Sequence, residues 1–297
     1  MELCAKVSSI NIMEIFSPAK INLFIGVTGK RKDGYHDLET IMCRIGLYDR
    51  MVITFGVEKT SLTCSDPDVP ENSDNLALRA ADLFFREARL KKGLQRENIS
   101  ISIFKHIPVG GGLGGGSGNA ASTLSALNRR HGNLFSLNEL MKMGASIGAD
   151  VPFFIYKKPA FATGAGDRLQ PFDRFFASYV LVIYPGFSLS TAMIFKKLNL
   201  GLTKCKQNDK NYFCVKKRWF NVPHDLCNDL ETVAEVLCPE IEAMKKELLN
   251  QGASGSLMSG SGSCVFGLFS DYMTIKAAYD AISKKYDWTL HVADMLV

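Results

Sequence analysis

The sequence predicts an α+β fold in two domains, and three observations carry that reading. The chain has 297 residues, about two domains' worth at 100–200 residues each. Its hydrophobic content of 46% is enough to bury a core. Stretches of period-2 hydrophobicity and stretches of helical spacing alternate in both halves, without the regular strand–helix–strand repeat of a single parallel sheet. The pattern restarts after about residue 163, so the expected domains are 1–163 and 164–297. Neither a tandem repeat nor a low-complexity linker interrupts them.

The elements follow in order. "MELCAKVSSINI" reads as a short leader into the first strand, lacking the apolar stretch of a secretory signal. Residues 21–27 are apolar and β-rich, and "KRKDGYH" after them supplies a hairpin turn at Asp33-Gly34. Met51–Phe55 reads as a further strand, and "SDPDVPENSDN" as a loop. Leu76, Ala80, Leu83, Phe84 and Ala88 share one face of a helix over 76–89. Residues 99–103 alternate Ile-Ser-Ile-Ser-Ile, a half-buried strand. Ala120, Ala121, Leu124 and Leu127 mark a helix that stops at His131-Gly132-Asn133. Ser136 and Glu139 form a capping box before another helix. In the second half, "SYVLVIYPG" is a buried strand, "GSLMSGSGSCVFGLF" a glycine-broken strand or hairpin, and 239–249 and 273–286 are helices.

Composition excludes several classes. No apolar run reaches the ~18 residues of a membrane span. Eight cysteines occur without a C-x-x-C spacing, which predicts reduced thiols in a cytoplasmic protein and no protein-bound metal. A net charge of +5 suits an anionic small molecule and requires no nucleic acid. The basic stretch 203–218 reads as a solvated segment, with a nucleic-acid patch as the alternative.

The most informative stretch is "HIPVGGGLGGGSGNAA", between a strand and a helix of small residues. The first amides of a helix lack intrahelical partners and sit at the positive end of its dipole. Glycines let those amides close around an anion, so this layout predicts a phosphate cradle. A Walker A loop is excluded, because no glycine is followed by Lys and Ser or Thr in the required frame. Gly110, Gly112 and Gly115 fit the dinucleotide fingerprint, but the first acidic residue beyond them is Glu139, in a helix cap. A protein kinase would need H-R-D and D-F-G elements, and neither occurs.

"PVGGGLGGGSGNAA" resembles the phosphate loop of the GHMP kinases, P-x-x-x-G-L-G-x-x-S-x-x-A. "SPAKINLFIGVTGKRKDGYHDLET", "GADVPFF" and "MSGSGSCVFG" resemble further signatures of that family, and the four span residues 17–267 in the family's order. "PAKINL" with "DGYH" is the narrowest of them. It is similar to the branch that phosphorylates the 2-hydroxyl of a cytidine-diphosphate derivative of methylerythritol, on the non-mevalonate isoprenoid route. The resemblance implies an S5-like N-terminal domain that binds ATP and a ferredoxin-like C-terminal domain that binds substrate. It also implies Mg2+ as cofactor, no nucleic-acid or membrane partner, and a monomer or weak homodimer.

The resemblance further implies a catalytic pair, Asp150 as base and Lys20 beside it. An ATP site would comprise Asn75, Pro108, Val109, Gly110, Gly111, Gly112, Leu113, Gly114, Gly115, Gly116, Ser117 and Gly118. Substrate residues would be Asn22, Tyr35, His36, Thr191 and Phe195, with the aromatic groups on the cytosine. Asp150 in Asp-Val-Pro reads equally as a helix cap, and Asn75 as another. Lys20 lies inside an apolar strand and therefore needs a partner. The family usually carries a second serine at the position of Gly118, so a hydroxyl near magnesium is expected from Ser117. The alternatives are another GHMP kinase, acting on mevalonate, homoserine or a sugar, and a nucleotide-binding module without catalysis.

Overall fold

A computed structural model describes residues 11–32, 34, 36–175, 178–199, 201, 205, 219–222 and 224–297. Two long antiparallel strands, β1 (Ile12–Lys30) and β2 (His36–Phe55), organise the first half. Gly34, in the turn between them, has φ +88°, a conformation that favours glycine. β2 is one continuous strand where the sequence suggests two segments. It pairs along its length with β1, at Thr40–Met42 with β5 (Ala160–Thr163), and at Arg50–Phe55 with β4 (Ile99–Phe104). β1 pairs with most of "CRIGLYDR", which stays extended despite its mixed polarity. β4 also carries β3 (Ser61–Cys64) in parallel, and β5 forms a hairpin with β6 (Arg168–Pro171).

Helices α1 (Leu76–Lys92), α2 (Gly115–Arg130), α3 (Leu137–Ile147) and α4 (Val151–Tyr156) cover this sheet. The capping box of α3 is present, Ser136 and Glu139 each receiving the other's backbone N–H. α2 starts at Gly115, within the glycine run and five residues before the first apolar position of its periodic face.

The second half holds β7 (Tyr179–Tyr184), β9 (Gly255–Met258), β10 (Val265–Phe269) and β11 (Thr289–Leu296). Alternate residues of β7 face two cores. Val180 and Val182 pack toward the first half with Ile21 and Phe266. Leu181 and Ile183 pack under α7 (Glu240–Asn250) and α8 (Tyr272–Lys285). That double burial explains its unbroken apolar run. Met295 and Leu296 of β11 pair with Ile45 and Arg44, so one sheet of order β3-β4-β2-β11-β7-β10-β9 crosses both halves. Two shorter helices, α5 (Thr191–Lys197) and α6 (Glu231–Leu237), lie near the cleft between the halves.

Two cysteines depart from the expectation of free thiols. Cys205 and Cys227 form a disulfide, with Cα atoms 5.9 Å apart. The chain brings them together because β8 (Cys227–Asn228) pairs with Phe24 and Ile25, while Asp229 Oδ1 accepts from the Cys205 amide at 2.9 Å. The other Asp229 oxygen accepts from the Val27 amide at 2.8 Å, so backbone amides occupy both oxygens of this carboxylate. No helix among the described residues is long and apolar enough to cross a membrane. The basic stretch 203–218, Cys205 apart, lies outside the described residues, as does Tyr35.

Candidate active site

A cleft of about 640 Å³ opens between the halves. Strand β1 supplies its floor. Lys20 is 3% exposed there, and its ammonium donates to Asn22 Oδ1 at 2.6 Å. The two residues are two apart on a strand and so share a face. Asp150 Oδ2 lies 3.4 Å from the Lys20 ammonium. Asp150 occupies the N-cap position of α4, yet its side chain makes no capping hydrogen bond. The carboxylate lines the cleft, a third exposed, and does not serve the helix as a hydrogen-bonding cap.

Residues 108–117 line the cleft. The cradle is held from behind by the second half. Ser259 Oγ donates to the Gly112 carbonyl at 3.0 Å, and the Cys264 amide donates to the Gly111 carbonyl at 3.1 Å. Gly112 has φ +79°, and a Cβ there would collide with the Ser259 carbonyl. The glycine run therefore has a second cause besides open amides, the close approach of two loops. Gly114, at φ +72°, caps α2 without a side chain, which leaves the first amides of the helix facing the cleft.

Gly118 alone of the loop residues named from the sequence does not line the cleft. A Cβ at 118 would lie 2.9 Å from Ser17 Oγ and 3.0 Å from the Pro18 carbonyl, so this position faces β1. Its departure from the family pattern is a matter of packing, and Ser117 is the loop hydroxyl that faces the cleft.

Asn75 lines the cleft and caps α1, accepting from the Ala77 amide at 2.9 Å and donating to the Pro70 carbonyl at 2.8 Å. Thr191, at the start of α5, shares a 2.7 Å hydroxyl contact with Ser261 of the C-terminal glycine motif. Phe195 lines the cleft and stacks on His36, ring centroids 5.1 Å apart. Burial, then the charge of Lys30, pushes the His36 imidazole below its ordinary range.

Lys105, Thr40 and Ser261 are among the lining residues that the sequence reading does not name. Lys105 is buried beside the start of α2, paired with the fully buried Asp49. Asp49 also accepts from the His106 and Ile107 amides at 2.9 and 3.0 Å and from Asn119 at 3.1 Å. The one sequence signal for Lys105 is its place between the Ile-Ser alternation and the glycine run. Thr40 ends one of the quoted family signatures and Ser261 lies within another, but neither signature singles the residue out.

The GHMP kinases N terminal domain profile matches residues 75–158, and the GHMP kinases C terminal profile matches 217–287. A 4-diphosphocytidyl-2-C-methyl-D-erythritol kinase of Syntrophotalea carbinolica is 43% identical over 284 residues, 93% of this chain and 96% of that one. The enzyme of the same description from Syntrophus aciditrophicus is 40% identical over 94% of this chain and 98% of its own. A crystal structure of 4-(cytidine 5'-diphospho)-2C-methyl-D-erythritol kinase superposes with TM-score 0.74 at 29% identity, covering 96% of this chain and all of the other. A homoserine kinase from Cytophaga hutchinsonii shares the fold at TM-score 0.72 and 18% identity, covering 98% of this chain and 96% of its own.

Proposed function

The chain belongs to the 4-diphosphocytidyl-2-C-methyl-D-erythritol kinases of the GHMP kinase family, and from that premise we propose how its residues carry the reaction. ATP phosphorylates the 2-hydroxyl of 4-CDP-2-C-methylerythritol. The observation that carries the residue assignment is the buried Lys20 ammonium 3.4 Å from an uncapping Asp150, in the same cleft as the glycine cradle.

Phosphoryl transfer passes through a loose transition state, so positioning and charge stabilisation dominate. The amides of residues 115–117 and the dipole of α2 hold the transferring end of ATP. Lys20 supplies positive charge where it develops on the phosphoryl oxygens. Asp150 takes the hydroxyl proton; because that proton leaves late, a carboxylate is a sufficient base. Asn22 keeps one amide hydrogen for the substrate, and Thr191 borders the same space. Tyr35, His36 and Phe195 recognise the cytosine, supported by the aromatic face that the His36–Phe195 stack presents beside the cleft.

The donor chemistry of the cleft fits magnesium. The Ser117 hydroxyl, an oxygen donor that lines the cleft, would hold the ion together with the phosphates of ATP. Bound with ATP, magnesium neutralises phosphate charge. We assign ATP binding to 1–163 and the substrate side to 164–297, supported by Thr191, Phe195 and Ser261 on the far wall. We propose a cytoplasmic monomer or weak homodimer without nucleic-acid or membrane partners; sedimentation tests the oligomeric part.

Asp150→Ala lowers kcat about 10²–10⁴-fold. Any fall in its melting temperature reports the lost ion pair with Lys20 and not a lost cap, because the side chain caps nothing. A near-parental rate would return Asp150 to a structural role.

A further inference from the structure

We propose that Thr40 is a positioning residue that sets the direction of the Asn22 amide and, through it, the aim of the Lys20 ammonium. The inference rests on the assignment of Lys20 and Asp150 above. Thr40 is 3% exposed, on β2, and borders the cleft. Its hydroxyl donates to the Phe24 carbonyl at 2.7 Å. A carbonyl only accepts, so the one hydroxyl hydrogen is committed there. Thr40 Oγ1 can then only accept, and it accepts from Asn22 Nδ2 at 2.8 Å.

That contact breaks the near-symmetry of the amide. With Nδ2 turned to Thr40, Oδ1 must face Lys20, where it accepts from the ammonium at 2.6 Å. The flipped amide would set an NH2 group against an ammonium and leave the Phe24 carbonyl without its hydroxyl donor. Both contacts are buried, where such mismatches are costly. The chain of polarity therefore runs from a main-chain carbonyl through Thr40 and Asn22 to Lys20, whose ammonium stands 3.4 Å from Asp150. β1 shifts register between Asn22 and Phe24, and this local irregularity accompanies the turn of the Phe24 carbonyl toward Thr40. Nothing in the signature "PAKINL" marks residue 40, because the contact crosses from one strand to its neighbour.

The test compares Thr40→Val, which keeps shape and loses the hydroxyl, with Thr40→Ser, which keeps the hydroxyl and loses the methyl. Steady-state kinetics use ATP and the cytidine diphosphate substrate. Thr40→Val is expected to lose about tenfold to a hundredfold in kcat, the scale of a small misplacement of a catalytic group, with the KM for ATP little changed. Thr40→Ser restores most of kcat. Equal loss in both variants would mean packing alone and overturn the proposal. So would a loss expressed only in the KM for ATP, or a wild-type kcat in Thr40→Val. If Thr40→Val does not fold, Thr40→Cys, of similar size and a weak acceptor, takes its place with the same expectations. Lys20→Ala separates the two levels. Wild-type turnover in Lys20→Ala refutes the catalytic assignment itself, whereas its loss beside an active Thr40→Val refutes only the role of Thr40.

Discussion

At Gly118 the absence of a side chain is set by its neighbour. Ser17 Oγ is buried without a hydrogen-bond partner among the described residues, and it stands where a Cβ at 118 would need to be. The two small residues share one space. Gly118→Ser is therefore expected to destabilise by about 1–3 kcal/mol, the usual range for overpacking. Ser17→Ala in the same chain should recover part of that loss, because it removes one close oxygen and leaves the Pro18 carbonyl. The KM for ATP should not improve, since position 118 faces β1. Additive melting shifts from the two changes would contradict the shared space. Lys105 and Asp49 show why some of the site is not legible at this scale. Their pairing joins residues 56 apart, and neither sits in a local pattern that names the other. Lys20 was legible because a charge inside an apolar strand demands a partner.

Among the elements, those with local chemistry could be read directly. The capping box of α3 is an example, with Ser136 accepting from the Glu139 amide. The Glu139 carboxyl is held down to about 2 by Lys91 first and then by the Ser136 amide and hydroxyl. Ser136→Ala is expected to cost about 1 kcal/mol, read as a lower denaturant midpoint at unchanged m-value. No shift would mean that α3 is held by packing alone. Elements defined by distant pairing were not legible. β8 has two residues and exists because Phe24 and Ile25 accept it as a neighbour. β11 pairs with β7 and then with β2, a connection that no local periodicity encodes. The disulfide belongs to the same class, since Cys205 and Cys227 meet only once β8 is docked on β1.

For the whole molecule, the sheet and the core joining the halves predict that they unfold together. Three histidines then make stability depend on pH. Burial pushes the imidazoles of His36, His131 and His291 below their ordinary range, with Lys30 adding for His36 and His106 for His291. At His131, Glu97 opposes the shift and Arg130 adds to it. The unfolded chain therefore takes up these protons first, near pH ~6.5. Their contribution is complete above that value and is lost as pH falls through the lower folded values. Glu231, which burial pushes upward, acts in the opposite sense but starts from the carboxylate range. The melting temperature is expected to fall between pH 7.5 and about 5.5; a flat profile would mean that these rings stay solvated.

The fold is shared with a homoserine kinase, so the choice of acceptor is what the fold alone does not fix. Purified protein with ATP and magnesium, assayed in parallel on 4-CDP-2-C-methylerythritol, mevalonate and homoserine, tests it most directly. Turnover of the cytidine diphosphate substrate is expected, with none above background on the other two. Turnover confined to mevalonate or homoserine would contradict it.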